Sequence, residues 1–331
     1  MEELSSAFTS GLGFESKEPT VQSHSSLHKV KGSGLSSQEE RRRRNLQLQK
    51  EKRKDYLSQV RKLVESDDEG IEDDEEEMES SSTRQRRKQG CKRHMANQLM
   101  LSEWMVDVPP DLDDNWFMVA CPRGRRCLVT TNGGTTRAFR KNGYCFKRFP
   151  SHLPAGKRRN RSGDSKPVIL DCVFNEAEKT FYVLDVMCWM NHPVYDSDTE
   201  FRFFWLQAKF SEVPNASEIS DINPFAFIPL PCYPCSKSTM ESVMGREMPF
   251  KADLDGILFY HKQTHYTTGS TPLVGWLKPW MLPEVLRVSV PQKYIDNKLP
   301  EEPWKPPNVP SEMECSTQES TTGKQTEEHA G

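Results

Sequence analysis

The chain has 331 residues, 45 Lys+Arg against 48 Asp+Glu, a formal charge of −3 and a mean hydropathy of −0.75. With 35% hydrophobic and 28% charged residues, one packed core with long solvated segments is expected, because such polar segments cannot bury enough apolar surface to order themselves. No stretch approaches the roughly 20 apolar residues of a membrane span. The opening MEELSSAFTSGLGF lacks the basic and apolar regions of a secretory signal. Nine cysteines, an odd number without small-scaffold spacing, point to a reduced intracellular protein. On that reading the sequons at Asn160 and Asn215 carry no weight.

Residues 1–26 are rich in Ser, Gly and Thr and are expected to be disordered. Within them Met1, Leu4, Phe8 and Leu12 fall at helical spacing, with Phe14 two further on. Such a string resembles a leucine-rich nuclear export signal, whose apolar anchors dock in a groove of an exportin.

Residues 27–65 contain the basic run. From Arg41 to Leu63 there are ten Lys/Arg (Arg41, Arg42, Arg43, Arg44, Lys50, Lys52, Arg53, Lys54, Arg61 and Lys62) and two acidic residues, a local net of +8. No Pro or Gly interrupts Gln38 to Val64, and the residues between are good helix formers. Ser36 or Ser37 can cap this helix, and Ser36 with Glu39 forms a capping-box pattern. Tyr56, Val60, Leu63 and Val64 share one side. Isolated, such a helix is marginal in water and is expected to order on a partner. Its length and clustered charge resemble the importin-β-binding segment of import adaptors, which an acidic solenoid wraps through charge-assisted pairs. Directly after it, Glu65–Glu79 holds eleven Asp/Glu and no Lys/Arg, so residues 66–93 are expected to be a disordered linker, first acidic and then basic.

The core is expected over 94–290. HMANQLMLSEWM at its start reads as an amphipathic helix closed by Pro109-Pro110. Strands are expected at 116–121, 126–131, 135–140, 168–175, 180–189, 255–262 and 272–279, with Gly133-Gly134 as a hairpin turn. A helix is expected over 200–210, and the KRRNR run at 157–161 as a basic loop. The fold class is α+β, mainly antiparallel β. Residues 291–331 read as a disordered tail rich in Pro, Glu, Thr and Ser.

CPRG (121–124), LDVMCW (184–189), DGILFY (255–260) and VGWLKP (274–279) occur in one order. They resemble the collinear motifs of the mRNA-capping guanylyltransferase and DNA-ligase fold. That family begins its first motif with a lysine that forms the covalent nucleotide adduct; here the position falls on Cys121, followed by Arg123 and Gly124. The second family carboxylate falls on Asp185, followed by Val. The resemblance implies a nucleotide pocket without the transfer chemistry. The alternative reading is a guanylyltransferase or ligase relative with unusual chemistry.

ANQLMLSEW, YVLDVMCW, FYHKQTHY, GSTPLVGWL and the basic helix together resemble the snurportin family of import adaptors. The resemblance implies a non-enzymatic protein that binds the 2,2,7-trimethylguanosine cap of spliceosomal U snRNPs. It further implies a link to importin-β, recycling by an exportin, and shuttling between cytoplasm and nucleus. Carried over by motif, the stacking tryptophan falls on Trp276, and the base and ribose contacts on Ser102, Trp104 and Cys121. The phosphate-facing residues fall on Gly124, Arg125, Arg126 and Lys141. Cys127 and the extra Arg123 depart from the family pattern. The chemistry fits: an indole face attracts the cationic N7-methylated base, and N2 dimethylation calls for soft, uncharged neighbours. CYPC (232–235) lacks a second Cys pair and is read as loop cysteines, and His261 and His265 as no metal pair. No metal, cofactor or catalytic residue is assigned.

Overall fold

The computed structural model describes residues 37–51, 58, 60, 63, 94–157 and 166–296. The export-signal residues Met1, Leu4, Phe8, Leu12 and Phe14, the basic residues Lys52, Arg53, Lys54, Arg61 and Lys62, the acidic block and the residues past 296 lie outside these.

Among the described residues the strands are β1 (Met100–Trp104), β2 (Trp116–Pro122), β3 (Arg125–Asn132), β4 (Thr135–Phe139), β5 (Cys145–Phe149), β6 (Val168–Asn175), β7 (Thr180–Trp189), β8 (His192–Pro193), β9 (Ala226–Pro229), β10 (Tyr233–Pro234), β11 (Leu254–His261) and β12 (Gly269–Leu277). One sheet runs β1-β12-β11-β2-β10; the other runs β5-β4-β3-β6-β7-β8 with β9 beside β7. Among the described strands only β1 with β12 and β7 with β9 pair in parallel, so the fold is α+β and mainly antiparallel, as expected. Gly133 and Gly134 sit at φ +55° and +78°, which suits the tight β3–β4 hairpin, since Gly reaches positive φ without a Cβ clash.

The helices are α1 (Gln38–Glu51), α2 (Leu112–Asn115), α3 (Thr199–Ser211), α4 (Lys237–Gly245), α5 (Leu282–Leu286) and α6 (Gln292–Asp296). Helix α4 and strands β5, β8, β9 and β10 were not expected from periodicity. They are short, and tertiary pairing rather than local pattern defines them. Strands β6 and β7 are apolar almost throughout because both of their faces are covered. Towards the other sheet, Leu128, Phe139, Val173, Tyr182 and Leu184 pack with Val119, Cys121, Leu258, Tyr260 and Val274. On the outer face, Phe174, Phe181, Val183 and Trp189 pack under Leu206 and Phe210 of α3. The outer face of the five-stranded sheet is closed by Met240, Val243 and Met244 of α4 and by Leu282, Val288 and Tyr294. Tyr294 is buried on α6, so the folded unit runs beyond residue 290.

Two expectations are corrected. HMANQLMLSEWM is not one helix. His94 and Met95 are helical, Asn97 turns the chain at φ +56°, and Met100–Trp104 is strand β1. Pairing with β12 overrides the helical periodicity there. The second correction concerns α1, which is ordered on the core and not only on a partner. Ser37, one of the two expected capping serines, caps it, its Oγ accepting from the Glu40 amide at 3.1 Å; Ser36 lies outside the described residues. Arg41 Nη1 and Nη2 donate to the two carboxylate oxygens of Glu103, each at 2.8 Å. Arg42 is buried (2% exposed) and donates to Pro272 O at 3.2 Å, Asp107 O at 2.7 Å and Gln38 Oε1 at 2.8 Å. Burial pushes its guanidinium below the ordinary arginine range, with Glu39 and Asp107 pulling the other way. At the far end Gln49 exchanges hydrogen bonds with Gln263 O and the His265 amide. Beyond α1, Val60 and Leu63 are helical and buried beside Met95 and Leu99.

Arg42→Ala removes donors from two backbone carbonyls; hydrogen bonds from a charged group contribute about 1.5–3 kcal/mol. The expected effect is local opening of α1. Amide exchange across 38–51 should accelerate by about ten- to a hundredfold while the sheets keep their protection. Unchanged exchange in α1 would refute the docking.

Candidate nucleotide-binding site

The second strand of the five-stranded sheet is irregular. Between Ser102 and Glu103 of β1 the register on β12 jumps from Thr271 to Gly275. This bulge frees the Pro272 carbonyl that Arg42 caps, and it sets Trp104 beside Trp276 in register. On the other side Gly256 of β11 lies under the Trp276 indole: a Cβ there would come within 2.2 Å of indole Cζ2. Glycine is therefore required for the ring to lie across the strand. Lys278 is held by Asp255, through its side-chain oxygen at 2.7 Å and its carbonyl at 2.9 Å, and its Nζ is 5.5 Å from the Trp276 ring centroid.

These strands frame a cavity of about 380 Å³, within the size range of small-ligand sites. Leu101, Ser102, Cys121, Pro122, Asp255, Leu258 and Trp276 line it from the five-stranded sheet, and Gly124, Arg126 and Val173 from the β2–β3 turn and the seven-stranded sheet. Gly124 is close-packed, since a Cβ would approach Phe174 O to 2.7 Å. Cys121 is buried and burial pushes its thiol up to about 12, so it presents a neutral, soft wall.

Arg126 combines two roles. Its side chain lines the cavity at 24% exposure and pairs with Asp171, Nη2 donating to Oδ2 at 2.7 Å and also to Met100 O at 3.2 Å. Tyr266 Oη donates to Asp171 Oδ2 at 2.7 Å and accepts from the Met100 amide at 3.0 Å. Burial pushes the Asp171 carboxyl up, while Arg126 and Tyr266 hold it down. The opposite residue in register, Asp185, is closed off as well: Arg202 donates to both of its oxygens at 2.9 Å, and both side chains are 0% exposed.

Of the eight residues assigned from sequence, Ser102, Cys121, Gly124, Arg126 and Trp276 converge on the cavity. Trp104 is 39% exposed and adjoins Trp276 along the sheet rather than lining the cavity. Arg125 turns to the other face of its strand, its guanidinium carbon 5.1 Å from the Phe146 ring centroid. Lys141 is exposed in the β4–β5 turn, where its carbonyl accepts from the Asn97 amide at 2.8 Å. Leu101, Pro122, Val173, Asp255 and Leu258 were not foreseen. Asp255 and Leu258 sit in DGILFY, so the motif located them without revealing their role. Among the other candidates Arg41 and Arg42 are engaged by the core, and Arg43, Arg44 and Lys50 are exposed on α1.

The α+β fold thus holds a cavity walled by an indole, a neutral thiol and an arginine, groups that can stack on a base and face a phosphate. The chain matches the family described as "Snurportin1, m3G cap-binding domain" over residues 98–279, more than half its length, and "Snurportin1" over residues 25–62. It belongs to the snurportin family. Solved structures similar to it include "mycobacterial DNA ligase D complexed with ATP and MES" (13% identity, TM-score 0.37, 55% of this chain and 59% of that one). Another is the ligase domain from M. tuberculosis LigD (13% identity, TM-score 0.37, 55% and 58%). The chain thus spans less than two thirds of the length of these ligases.

At pH 8 a thiol with a pKa of about 12 is thiolate about a thousandfold less often than a free cysteine near 8.5. Iodoacetamide should leave Cys121 unmodified at pH 8 over times that fully alkylate a small-molecule thiol. Peptide mass mapping checks this, and rapid Cys121 labelling would contradict a closed, neutral wall.

Proposed function

We propose that this chain is a nuclear import adaptor. It takes the 2,2,7-trimethylguanosine cap of spliceosomal U snRNPs into the cavity beneath Trp276 and offers its basic N-terminal segment to importin-β. An exportin that reads leucine-rich signals returns it to the cytoplasm through Met1, Leu4, Phe8, Leu12 and Phe14. The carrying observation is the cavity itself, in the segment that matches the cap-binding domain. N7 methylation makes guanine cationic, so the Trp276 face attracts it by stacking and by cation–π contact. N2 dimethylation removes the donors a carboxylate would read, and Leu101, Cys121, Val173 and Leu258 supply uncharged neighbours. Arg126 is the cation in the cavity wall and the candidate to face the phosphate bridge.

The nucleotidyl-transfer alternative is disfavoured by the same residues. Cys121 offers no amine for a phosphoramidate, and Asp185 has both oxygens committed to Arg202, leaving no carboxylate edge for a metal. The docked α1 adds a condition to importin-β binding. A receptor taking the whole basic segment must withdraw Arg41 from Glu103 and Arg42 from the core, which lowers its apparent affinity by the fraction of undocked chain.

Trp276→Ala should weaken the trimethyl cap by about ten- to a hundredfold, the cost of one base–aromatic stack of about 1–3 kcal/mol. Trp276→Phe should recover part of it, and Gly256→Ala should act in the same direction by displacing the indole. Cap titrations and thermal melts on the same samples check this. A normally melting alanine variant with full cap affinity would end the assignment.

Glu103→Ala should raise importin-β affinity several-fold by releasing Arg41, measured by titration of the full chain. An unchanged or lower affinity would show that docking does not compete with capture.

A further inference from the structure

Arg125 and Arg126 are consecutive on β3, so they leave opposite faces of the sheet. Arg126 lines the cavity, whereas Arg125 opens onto a different surface. There its guanidinium lies over Phe146, with 5.1 Å to the centroid. Arg140, at the end of β4, lies over the same ring at 6.0 Å and over Tyr144 at 5.5 Å. Lys147 stands 5.5 Å and 5.8 Å from the centroids of Phe225 and Phe174. Arg125 and Arg140 are exposed, and Tyr144 is 48% exposed. Among the described residues, the exposed Glu176 pairs with Lys147 at 3.3 Å.

Cations riding on rings form an uncommon surface, and they offer two things together. An exposed guanidinium beside an aromatic ring gives a base two planar groups on which to stack. Its charge is at the same time available to a phosphate. A protein partner with acidic residues would use the charge and leave the planar faces idle. A single nucleic-acid strand uses both. The surface also begins one residue from the cavity wall, since Gly124 and Arg126 line the cavity on either side of Arg125.

We propose that the Arg125, Arg140, Tyr144 and Phe146 surface is a second nucleic-acid site, which holds the unpaired nucleotides that follow the capped one on the same strand. Its continuity with a cap rests on the function proposed above; its affinity for single strands does not.

The test uses the full chain and an Arg140→Ala/Tyr144→Ala variant, neither residue being part of the cavity. Three ligands are titrated: the trimethyl-cap dinucleotide, the same cap followed by about ten nucleotides, and the uncapped strand. The native chain should bind the long capped strand about tenfold or more tighter than the dinucleotide at roughly 50 mM salt, with a smaller gain near 200 mM. The variant should lose this gain, keep the dinucleotide affinity and lose its weak hold on the uncapped strand. Arg140→Lys with Tyr144 intact should keep the salt-dependent part alone, and melts of all samples should coincide. No gain with length in the native chain, or a gain that the variant keeps, would overturn the proposal and favour an acidic protein surface as the ligand. If the dinucleotide fails to bind while the uncapped strand binds through Arg140 and Tyr144, the cap reading falls and this surface stands.

Discussion

Two aspartates meet in register at the centre of the seven-stranded sheet, Asp171 on β6 and Asp185 on β7, both 0% exposed. Like charges opposite one another destabilise a sheet, and isolated buried charges are worse. The arrangement holds because each carboxylate has its own arginine: Arg126 for Asp171 and Arg202 for Asp185. Losing either arginine would strand a buried charge at about 3–5 kcal/mol. The two pairs also organise what surrounds them. Arg202 further donates to Ser197 O and Thr264 O, tying α3 to the loop that carries Tyr266. Arg126 reaches Met100 O, so the sheet, that loop and β1 share one polar network.

From this network the cavity follows. Anchoring Met100 at the start of β1 sets Leu101 and Ser102 against the cavity, and the bulge on β12 then brings Trp104 alongside Trp276. The carbonyl freed by that bulge is satisfied by Arg42 of α1. One strand therefore serves two purposes. Its inward residues line the nucleotide site, and Glu103 and the Trp104 carbonyl receive the basic helix through Arg41 and Gln38. A helix with almost no apolar stripe is held by carboxylates and carbonyls, so salt and competing acidic surfaces act directly on the dock.

The same residues are tied into the fold around them. Cys121 carries a thiol that burial holds neutral, and Asp185 is sealed by Arg202. Without a side chain at Gly256, the Trp276 indole can lie flat across β11.

Much of this was legible from local pattern. Alternating and continuous apolar runs located seven strands and Gly133-Gly134 marked the hairpin, whereas Ser102, Cys121, Gly124, Arg126 and Trp276 were named only through the family resemblance. Strand β1 was misread because LMLSEW carries a helix-compatible period, and only its pairing with β12 decides otherwise. The dock of α1 left no trace in hydropathy, because its contacts are hydrogen bonds between residues about 65 to 230 positions apart. The opposite aims of Arg125 and Arg126 follow from strand parity once β3 is in place. Sequence by itself determined the charge blocks, the β-rich core and the identities of the residues that can stack on a base or pair with a phosphate. Tertiary structure alone decided which of them meet, because backbone register and the neutralisation of buried charge are properties of strands far apart in the chain.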